Sequence, residues 1–502
     1  MTPAARTPTP PTGRPDFDRG FVHTMGLIDR RLCTDSRLVR PGDVFAAVPG
    51  HRVDGRDFVG HAVQAGASAV LWDPSGRPPM RFDDLPVPHM AVPELNWRLG
   101  WIAAEMARHP SASLWTIGIT GTNGKTSCSH WLAQALSACG TPCGRIGTLG
   151  YGIDTLSPLA NTTPDGGRLQ EILAELRNAG ATAVAMEVSS HALAEGRVHG
   201  VAFDVAVFTN LTRDHLDYHG TLEAYGAAKE RLFHWDGLQH AVIVTDADFG
   251  LHLAGRIDHN RTQVLTVGRR GDVRVSQVQC SAEGVACRLD TPWGAVEMRS
   301  GLIGRFNVDN LACVAATLLV SGVPLGRIAD AIAALTPVPG RMQVLRRDGA
   351  PTVVVDYAHT PDALGQALAS LREGLPTNHR LHCVFGCGGD RDPGKRAAMG
   401  AVAAKLADVV TLTSDNPRSE DPDAIIATIS AGIPASADAT LHTEPDRASA
   451  IAHAILGAAA GDVVLLAGKG HETWQEIAGR RLPFNDAEHA RAALDAWTGA
   501  RA

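Results

Sequence analysis

Short apolar runs alternate with longer helix-like segments from Leu114 onward, and this alternation constrains the fold more than any other feature. The run Leu114–Ile119 predicts a buried strand, and a glycine-rich turn and a helix to about Ala138 follow it. Strands that alternate with helices in this way are typical of a parallel, doubly wound sheet. The alternation continues through predicted helices at Leu169–Ala179, Leu222–Phe233 and Val308–Val320, and strands at Ala181–Met186, Val205–Phe208 and Ala241–Thr245.

A second α/β series follows the stretch TPVPG at 336–340, which predicts a domain boundary. We expect it to form a Rossmann-like C-terminal domain. Between the two series, residues 263–300 alternate in a way that predicts antiparallel strands. The second series comprises predicted strands at Thr352–Asp356, Leu381–Gly386, Val409–Thr413 and Val463–Ala467, and helices at Asp362–Leu371 and Lys395–Leu406.

The segment before residue 110 has β-like runs at Asp43–Val48 and Ala67–Trp72, separated by Pro-Gly and Gly-His turns, which indicates a small α/β domain. Met1 to Pro15 is rich in Pro and Thr and lacks an apolar h-region, so it predicts a disordered leader and not a signal peptide. The predicted division is a leader at 1–20, an N-terminal domain at 21–110, a central domain at 111–338 and a C-terminal domain at 339–502.

Composition excludes several classes of protein. The net charge of −7 gives no general case for nucleic-acid binding. The chain contains no apolar run of about 18 residues, so we expect no membrane insertion. Its nine cysteines form no C-x-x-C pair, which argues against a zinc ribbon and suits reduced thiols in the cytosol. We therefore expect a soluble cytoplasmic protein.

Lysine is rare in this chain. Lys+Arg is 46, yet the only lysines are Lys125, Lys229, Lys395, Lys405 and Lys469. Arginine cannot replace lysine where a compact point charge or a neutral amine is needed. Lys125, Lys229 and Lys469 lie in the motifs described below and Lys395 follows one of them closely, so we interpret these lysines as functional candidates.

The turn TGTNGKT at 120–126 lies between the predicted strand and helix. Backbone N–H groups at a helix N-terminus bind phosphate, Lys125 would reach the β- and γ-phosphates, and Thr126 would hold Mg²⁺. Position 119 is Ile, so the strict G-x4-G-K-T spacing is not met and the loop is a variant. The predicted ATP-binding residues here are Gly121, Thr122, Asn123, Gly124, Lys125, Thr126 and Ser127.

Two further strands end in polar residues. Glu187 ends the run Ala183–Met186, and a carboxylate at the carboxyl end of a parallel strand faces the ligand crevice. After the next strand, NLTRDHLDYHG at 210–220 places two histidines and two aspartates close together, and Lys229 follows on an amphipathic helix. Glu187 therefore fits a metal near the phosphate loop.

Eight motifs in a fixed order resemble the Mur ligase family, and the match covers nearly the whole chain from about Cys33. Within that family, the chain is most similar to the branch that adds diaminopimelate. The resemblance implies three α/β domains that bind a UDP-sugar, ATP and an amino acid in turn. The motifs are TGTNGKT at 120–126, EVSSHAL at 187–193, NLTRDHLDYHGTLEAYGAAK at 210–229, GRFNVDN at 304–310, DYAHTPDAL at 356–364, GCGGDRD at 386–392, DNPRSEDP at 415–422 and AGKGHET at 467–473.

The resemblance also assigns residues to the ATP and Mg²⁺ sites. It implies that Thr126, Glu187 and His215 are Mg²⁺ ligands or their neighbours. Lys229 matches a lysine that such enzymes carboxylate to a carbamate, which needs a neutral primary amine and would also bind metal. The expected catalytic residues are thus Lys125, Glu187, His215 and Lys229, and further expected ATP contacts are Asn307, Asn310, Arg341, Asp356 and His359.

For the nucleotide-sugar UDP-MurNAc-L-Ala-D-Glu, the resemblance implies one group of residues in the N-terminal domain and another in the central domain. Glu195 stands where relatives often carry Gln, and a carboxylate disfavours an anionic substrate. The expected contacts are Thr34, Ser36, His51, Arg52, Val53, Asn161, Thr162, Thr163, Ser189, Glu195 and Arg197.

The motif DNPR points to meso-diaminopimelate as the amino acid, because its far end carries a second carboxylate and ammonium. Arg418 offers a bidentate fork for that carboxylate, with Arg391 as a second clamp. Asn416 can hydrogen-bond the zwitterion, and Glu472 can receive the distal ammonium. The expected diaminopimelate contacts are Arg391, Asp415, Asn416, Pro417, Arg418, Gly468 and Glu472.

The implied reaction is ATP-dependent amide formation through an acyl phosphate in peptidoglycan precursor synthesis, with Mg²⁺ as cofactor and a monomeric enzyme. A lysine-adding relative or a folylpolyglutamate synthetase is an alternative, but TDSR at 34–37 and DNPR at 415–418 argue against both. A regulatory GTPase is disfavoured because no Asn-Lys pair exists for an N-K-x-D motif. A non-catalytic nucleotide-binding homologue is the remaining alternative, and the joint presence of Lys125, Glu187, His215 and Lys229 argues against it.

Overall fold

The computed structural model describes residues 17–50, 53–76, 85–281 and 284–498. Three α/β units follow one another along the chain, and each has its own sheet and buried core. The prediction of a three-domain α/β fold is confirmed. None of the helices in these ranges is long and apolar enough to cross a membrane.

The N-terminal unit contains a four-stranded parallel sheet in the order β1-β2-β3-β4. Both faces of β2 are buried, since Val44 and Ala46 pack in one core cluster while Phe45 and Ala47 pack in another. Helix α1 begins at Phe17, inside the segment predicted to be a disordered leader, so that prediction is wrong for its last four residues. The elements are α1 (Phe17–Thr24), β1 (Leu32–Cys33), β2 (Val44–Ala47), α2 (Val59–Gln64), β3 (Ala69–Trp72), β4 (His89–Ala91) and α3 (Leu95–Met106).

The central unit is a seven-stranded sheet in the order β11-β10-β9-β5-β8-β6-β7, parallel except for the edge strand β7. Helices cover both of its faces. Its elements are β5 (Trp115–Thr120), α4 (Lys125–Ala138), β6 (Cys143–Gly147), β7 (Gly150–Gly152), α5 (Gly166–Asn178), β8 (Ala183–Glu187), α6 (Ser190–Ala194), β9 (Val205–Phe208), α7 (Leu216–His219), α8 (Leu222–Glu230), β10 (His240–Val244), α9 (Asp248–Arg256), β11 (Gln263–Val267), β12 (Arg274–Ser281), β13 (Gly284–Thr291), β14 (Gly294–Ser300), α10 (Phe306–Val320) and α11 (Leu325–Ala333).

Strand β5 lies between β8 and β9, where the strand order changes direction. Ligands of open α/β sheets bind at the carboxyl ends of strands at such a switch point. The carboxyl ends of these three strands carry the phosphate-loop candidate after β5, Glu187 at the end of β8, and the segment after β9. The topology therefore gathers the predicted site residues of the central unit at one edge of the sheet.

Two element predictions in the central unit need correction. The prediction of antiparallel strands throughout 263–300 is wrong for β11, which pairs parallel with β10, while β12–β14 form the antiparallel sheet. Leu265 and Val267 are buried in the main core, so β11 belongs to the large sheet. The helix predicted at Leu222–Phe233 ends at Glu230, and a 3-10 turn follows.

The C-terminal unit has a six-stranded sheet in the order β15-β16-β20-β17-β18-β19, parallel except for β15, and a separate hairpin. Gly340 in the linker approaches the loop after β20 so closely that an added Cβ would lie 2.0 Å from the His471 nitrogen. The elements are β15 (Gln343–Leu345), β16 (Thr352–Asp356), α12 (Pro361–Glu373), β17 (Leu381–Phe385), α13 (Gly394–Leu406), β18 (Val409–Leu412), α14 (Pro422–Ser430), β19 (Thr440–Thr443), α15 (Arg447–Leu456), β20 (Val463–Ala467), β21 (Trp474–Ile477), β22 (Arg480–Pro483) and α16 (Asp486–Ala496).

Candidate active site between the central and C-terminal domains

The turn between β5 and α4 has the backbone of an anion-binding loop. Gly124 precedes α4 with a φ of +86°, and no side chain caps the helix. An added Cβ at Gly121 would lie 1.9 Å from Oγ1 of Thr209, so only glycine fits this approach. The side-chain Nδ2 of Asn123 is buried without a hydrogen-bond partner among the described residues, whereas its backbone N–H donates to Oδ1 of Asn210 at 2.9 Å. The uncapped N-terminus of α4, approached by a glycine-containing turn, suits a phosphate.

Two lysines converge on this loop. The Nζ of Lys125 donates to the carbonyl oxygens of Gly121 at 2.9 Å and Thr122 at 2.8 Å. The Nζ of Lys229 donates to the same Gly121 oxygen at 2.8 Å and lies 4.3 Å from the centre of the Tyr225 ring. Burial, and then the nearby Lys125 charge, lower the pKa of Lys229 well below its ordinary value. Lys229 therefore favours the neutral amine.

Glu187 ends β8 and is held by three donors. Its carboxylate accepts the Thr126 hydroxyl at 3.0 Å, the Thr148 amide at 2.8 Å and the Thr148 hydroxyl at 3.1 Å. A carboxylate and a threonine hydroxyl in contact suit Mg²⁺, which prefers oxygen ligands. His215 and Lys229 line the same cavity as this pair. Over the described ranges, no three His, Cys, Asp or Glu side chains are grouped for a metal, so Thr126 and Lys229 would have to complete the ligand set.

That cavity, of 440 Å³, is closed on one side by the C-terminal domain. The Nη2 of Arg341 donates to the Thr126 hydroxyl at 3.2 Å, and its guanidinium lies 4.2 Å from the centre of the Tyr357 ring. Asp356 accepts the backbone N–H groups of Met342 and Ala358, so it orders the turn that carries Tyr357. Thus Arg341, at the start of the C-terminal domain, contacts the phosphate loop directly.

Helix α10 forms another wall of this cavity. Asn310 lies against the loop, since an added Cβ on Gly124 would be 2.5 Å from its Oδ1. Asn307 does not line the cavity. It donates to the Ile303 carbonyl at 2.7 Å and accepts from Asn310 at 3.2 Å, which places it behind Asn310. The predicted ATP residues that do line the cavity are Thr122, Asn123, Gly124, Lys125, Thr126, Ser127, Asn310, Arg341, Asp356 and His359.

A second cavity, of 660 Å³, adjoins the first, because Asp214, His215, Tyr357 and His359 line both. Pro417 is not among its lining residues. Most of the side chains predicted for diaminopimelate therefore face a space continuous with the phosphate site. Those that line it are Arg391, Asp415, Asn416, Arg418, Gly468 and Glu472.

Hairpin β21–β22 orders the DNPR turn. The backbone N–H of Glu476 donates to Oδ1 of Asn416 at 2.9 Å, and the side-chain Nδ2 of Asn416 donates to the Glu472 carboxylate at 2.9 Å. Arg418 has a φ of +52° and its Nη1 donates to the Gly389 carbonyl at 2.6 Å. Burial raises the pKa of Asp415. The Arg418 guanidinium, the Asn416 amide and the Asp415 carboxyl group of this turn thus line one pocket with the Glu472 carboxylate.

The residues predicted for the nucleotide-sugar are spread more widely. Thr162 and Ser189 line the first cavity, and Thr163 donates to the Glu187 carbonyl at 2.8 Å, whereas Asn161 is exposed. Thr34, Ser36 and Val53 lie in the N-terminal domain and line neither cavity; His51 and Arg52 lie outside the described residues.

Glu195 is paired within the protein. Its carboxylate accepts from Arg197 at 2.6 and 2.8 Å and from the Tyr218 hydroxyl at 3.1 Å. Arg197 also donates to the Thr163 carbonyl at 3.2 Å. The guanidinium therefore offsets the carboxylate charge that would otherwise repel an anionic substrate.

Two residues that hold the site together had no predicted role, although the scarcity of lysine marked one of them, Lys469, as a candidate. Thr148 holds Glu187, but it lies after β6 and no nearby motif marks it. Lys469 contacts Glu472 at 2.8 Å, and the scarcity of lysine was the signal that could have identified it.

Known proteins resemble the chain over almost its full length. Sequence models of the Mur ligase family match it in three parts: the catalytic domain at residues 30–105, the middle domain at 119–318 and the glutamate ligase domain at 340–470. A Chromobacterium violaceum protein named UDP-N-acetylmuramoyl-L-alanyl-D-glutamate–2,6-diaminopimelate ligase is 53% identical over 97% of this chain and 98% of its own length. A Pseudomonas aeruginosa protein of the same name is 49% identical over 94% of this chain and 96% of its own length.

Solved structures agree in fold. A structure of a protein with that same name has 38% identity and a TM-score of 0.65 over 93% of this chain and 95% of its own. A MurF ligase of Thermotoga maritima in complex with ADP has a TM-score of 0.66 at 20% identity, over 94% of this chain and 98% of its own. On the sequence identity and coverage of these relatives, the chain belongs to the Mur ligase family.

Proposed function

We propose that the protein adds meso-2,6-diaminopimelate to the D-glutamate carboxylate of UDP-MurNAc-L-Ala-D-Glu, with ATP as co-substrate and an acyl phosphate as intermediate. One observation carries the proposal: the cavity at the phosphate loop and the cavity lined by Asp415, Asn416 and Arg418 share four lining residues. An acyl phosphate made in one cavity is thus within reach of an amine held in the other. The names of the relatives support the same substrates.

In the first step, a D-glutamate carboxylate oxygen attacks the γ-phosphorus of ATP, and ADP leaves. Lys125, the loop N–H groups and Arg341 offset charge on the phosphoryl oxygens. The nucleotide would draw Lys125 away from its contacts with the loop carbonyls. Thr126, Glu187, His215 and a modified Lys229 would hold Mg²⁺, which when bound supplies further neutralisation of phosphoryl charge.

Lys229 is proposed to act as a carbamate. A neutral primary amine adds to CO₂ to give N-carboxylysine and releases a proton. The burial that lowers the Lys229 pKa supports the neutral form. The product would exchange a buried amine for a carboxylate in the cavity that Glu187 and Thr126 also line, and a carboxylate is a better Mg²⁺ ligand than an amine.

In the second step, the neutral amine of diaminopimelate attacks the acyl carbon, the bond to phosphate breaks, and the nitrogen releases a proton as the amide forms. Arg418 and Arg391 would clamp the distal carboxylate, while Asn416 and Glu472 would hold the distal ammonium. The remaining DNPR residues, Asp415 and Pro417, and Gly468 would shape the pocket. Positioning and electrostatics account for the catalysis without a nucleophilic side chain.

The nucleotide-sugar is proposed to run from the N-terminal domain to the first cavity. Arg197 and Ser189 would contact the dipeptide end, and Thr34, Ser36 and Val53 the uridine end. We propose action in the cytoplasm as a monomer; all nine cysteines are free thiols, in keeping with a reducing compartment.

Phosphate release and product mass should be measured with ATP, UDP-MurNAc-L-Ala-D-Glu and either meso-diaminopimelate or L-lysine. We expect turnover with diaminopimelate and little with lysine. Lys125→Met should lower kcat about 100-fold or more, whereas Lys405→Met, an exposed lysine on α13, should match the wild type. Preference for lysine would contradict the assigned substrate, and binding of all ligands without turnover would indicate a non-catalytic homologue.

A further inference from the structure

Lys469 is a fully buried lysine behind the amino-acid pocket. It follows β20, its side chain is 0% exposed, and it is not among the described residues that line the 660 Å³ cavity. Its Nζ lies 2.8 Å from Oε2 of Glu472, 3.1 Å from Oδ1 of Asn416 and 3.8 Å from Oδ1 of Asp415. A buried charge persists only where partners of opposite sign compensate it.

The contacts of Lys469 fix the orientation of the Asn416 amide. Oδ1 of Asn416 accepts from both Lys469 and the Glu476 backbone N–H, so Nδ2 must be the group that faces Glu472. Lys469 and Asn416 donate to the same Oε2 of Glu472. The second carboxylate oxygen of Glu472 stays available to a ligand in the cavity.

The cluster of Asp415, Glu472 and Lys469 carries one uncompensated negative charge. Asp415 and Glu472 contribute two negative charges, and Lys469 contributes one positive charge. The cations that line the pocket, and that a ligand carboxylate would meet, are Arg213, Arg391, Lys395 and Arg418. An amino acid whose far end carries one ammonium and one carboxylate matches this arrangement.

We propose that Lys469 is a specificity-determining positioning residue, which keeps the cluster of Asp415, Glu472 and Lys469 at one uncompensated negative charge and so favours a zwitterionic far end over a lone ammonium. This inference rests on the proposed function. Without Lys469, the two carboxylates repel the distal carboxylate of diaminopimelate and attract the lone ammonium of L-lysine. The preference for diaminopimelate then declines.

The test compares Lys469→Met with the wild type. We expect the ratio of kcat/KM for diaminopimelate over L-lysine to fall about tenfold or more, because an uncompensated charge within a few ångströms acts at low effective dielectric. The KM values for ATP and the nucleotide-sugar should stay unchanged. Lys469→Arg, which keeps the charge, should retain the preference, and Lys405→Met is the matched lysine control on the surface.

The double variant Lys469→Met/Asp415→Asn returns the cluster to one negative charge and should recover the ratio. If Lys469→Met does not fold, Asp415→Asn alone tests the inference. It removes one negative charge and should raise the ratio of kcat/KM for diaminopimelate over L-lysine. An unchanged ratio in Lys469→Met, or no recovery in the double variant, would overturn the inference.

Calorimetric titration of both amino acids separates this inference from the proposed reaction. Binding of diaminopimelate by the wild type without turnover would overturn the proposed reaction alone. The ratio of the affinities for diaminopimelate and L-lysine, compared between the wild type and Lys469→Met, would then test the role of Lys469. No binding of diaminopimelate by the wild type would overturn both.

Discussion

Arg447 and Asp486 form a fully buried ion pair behind the amino-acid pocket. Both side chains are 0% exposed, and two N–H groups of Arg447 donate to the Asp486 carboxylate at 2.8 and 2.6 Å. Arg447 also donates to the carbonyls of Ser414 at 3.3 Å and Ala467 at 3.0 Å, where β18 and β20 end. Its guanidinium therefore ties together the strand ends that precede DNPR and Gly468.

Arg447→Met leaves the Asp486 carboxylate buried without its cation. Breaking a buried pair on one side lowers stability by about 3–5 kcal/mol. At about 2–4 °C per kcal/mol for a domain of this size, the Tm of the C-terminal domain should fall by roughly 6–20 °C. The KM for diaminopimelate should also rise, since the strand ends lose their common donor.

Differential scanning calorimetry measures the change in Tm. Arg108→Met is the control, because Arg108 and Asp29 form a surface pair with side chains 67% and 62% exposed, and its loss should leave the Tm nearly unchanged. Arg447→Met/Asp486→Leu should recover most of the lost stability, because an apolar pair can replace a buried ion pair. A fall in Tm no larger than that of Arg108→Met would refute the reasoning.

Three further predictions concern the loop, pH and the carbamate. Gly124→Ala should abolish ATP binding in a calorimetric titration, because its Cβ would lie 2.5 Å from Asn310, whereas Gly140→Ala, at a similar φ of +93° in open space, should retain it. Burial lowers the pKa of His199 to about 4, so protons favour the unfolded state and stability falls as the pH drops below about 6.5. In urea titrations, the free energy of unfolding should therefore fall by about 2 kcal/mol less between pH 8 and pH 5 in His199→Gln than in the wild type. With ¹³C-bicarbonate, a carbamate NMR signal should appear in the wild type and not in Lys229→Met; its presence in both would exclude Lys229.

The sequence predicted those parts of the site that depend on local pattern. The apolar run before the phosphate loop and the glycines within it fix β5, the turn and the start of α4, since each is a local backbone requirement. Glu187 could be placed because the continuous apolar run stops at this residue, which forms the carboxyl end of β8. The three domains followed from the same alternation.

Features that depend on non-local pairing could not be predicted. Strand β11 pairs with β10 in a parallel register, and nothing in its own alternation distinguishes that from a place in the antiparallel sheet. Thr148 reaches Glu187 because β6 lies beside β8, which only the strand order determines. Composition singled out Lys469, but its burial and its contact with Glu472 required the fold.

The central claim is that ATP activates the D-glutamate carboxylate as an acyl phosphate, and isotope transfer tests it most directly. UDP-MurNAc-L-Ala-D-Glu labelled with ¹⁸O in the D-glutamate side-chain carboxylate should be turned over with ATP and diaminopimelate, and the released phosphate analysed by mass spectrometry. The account predicts one ¹⁸O atom in each phosphate released, because the carboxylate oxygen that attacks phosphorus leaves with it. Unlabelled phosphate with normal amide formation would contradict the account.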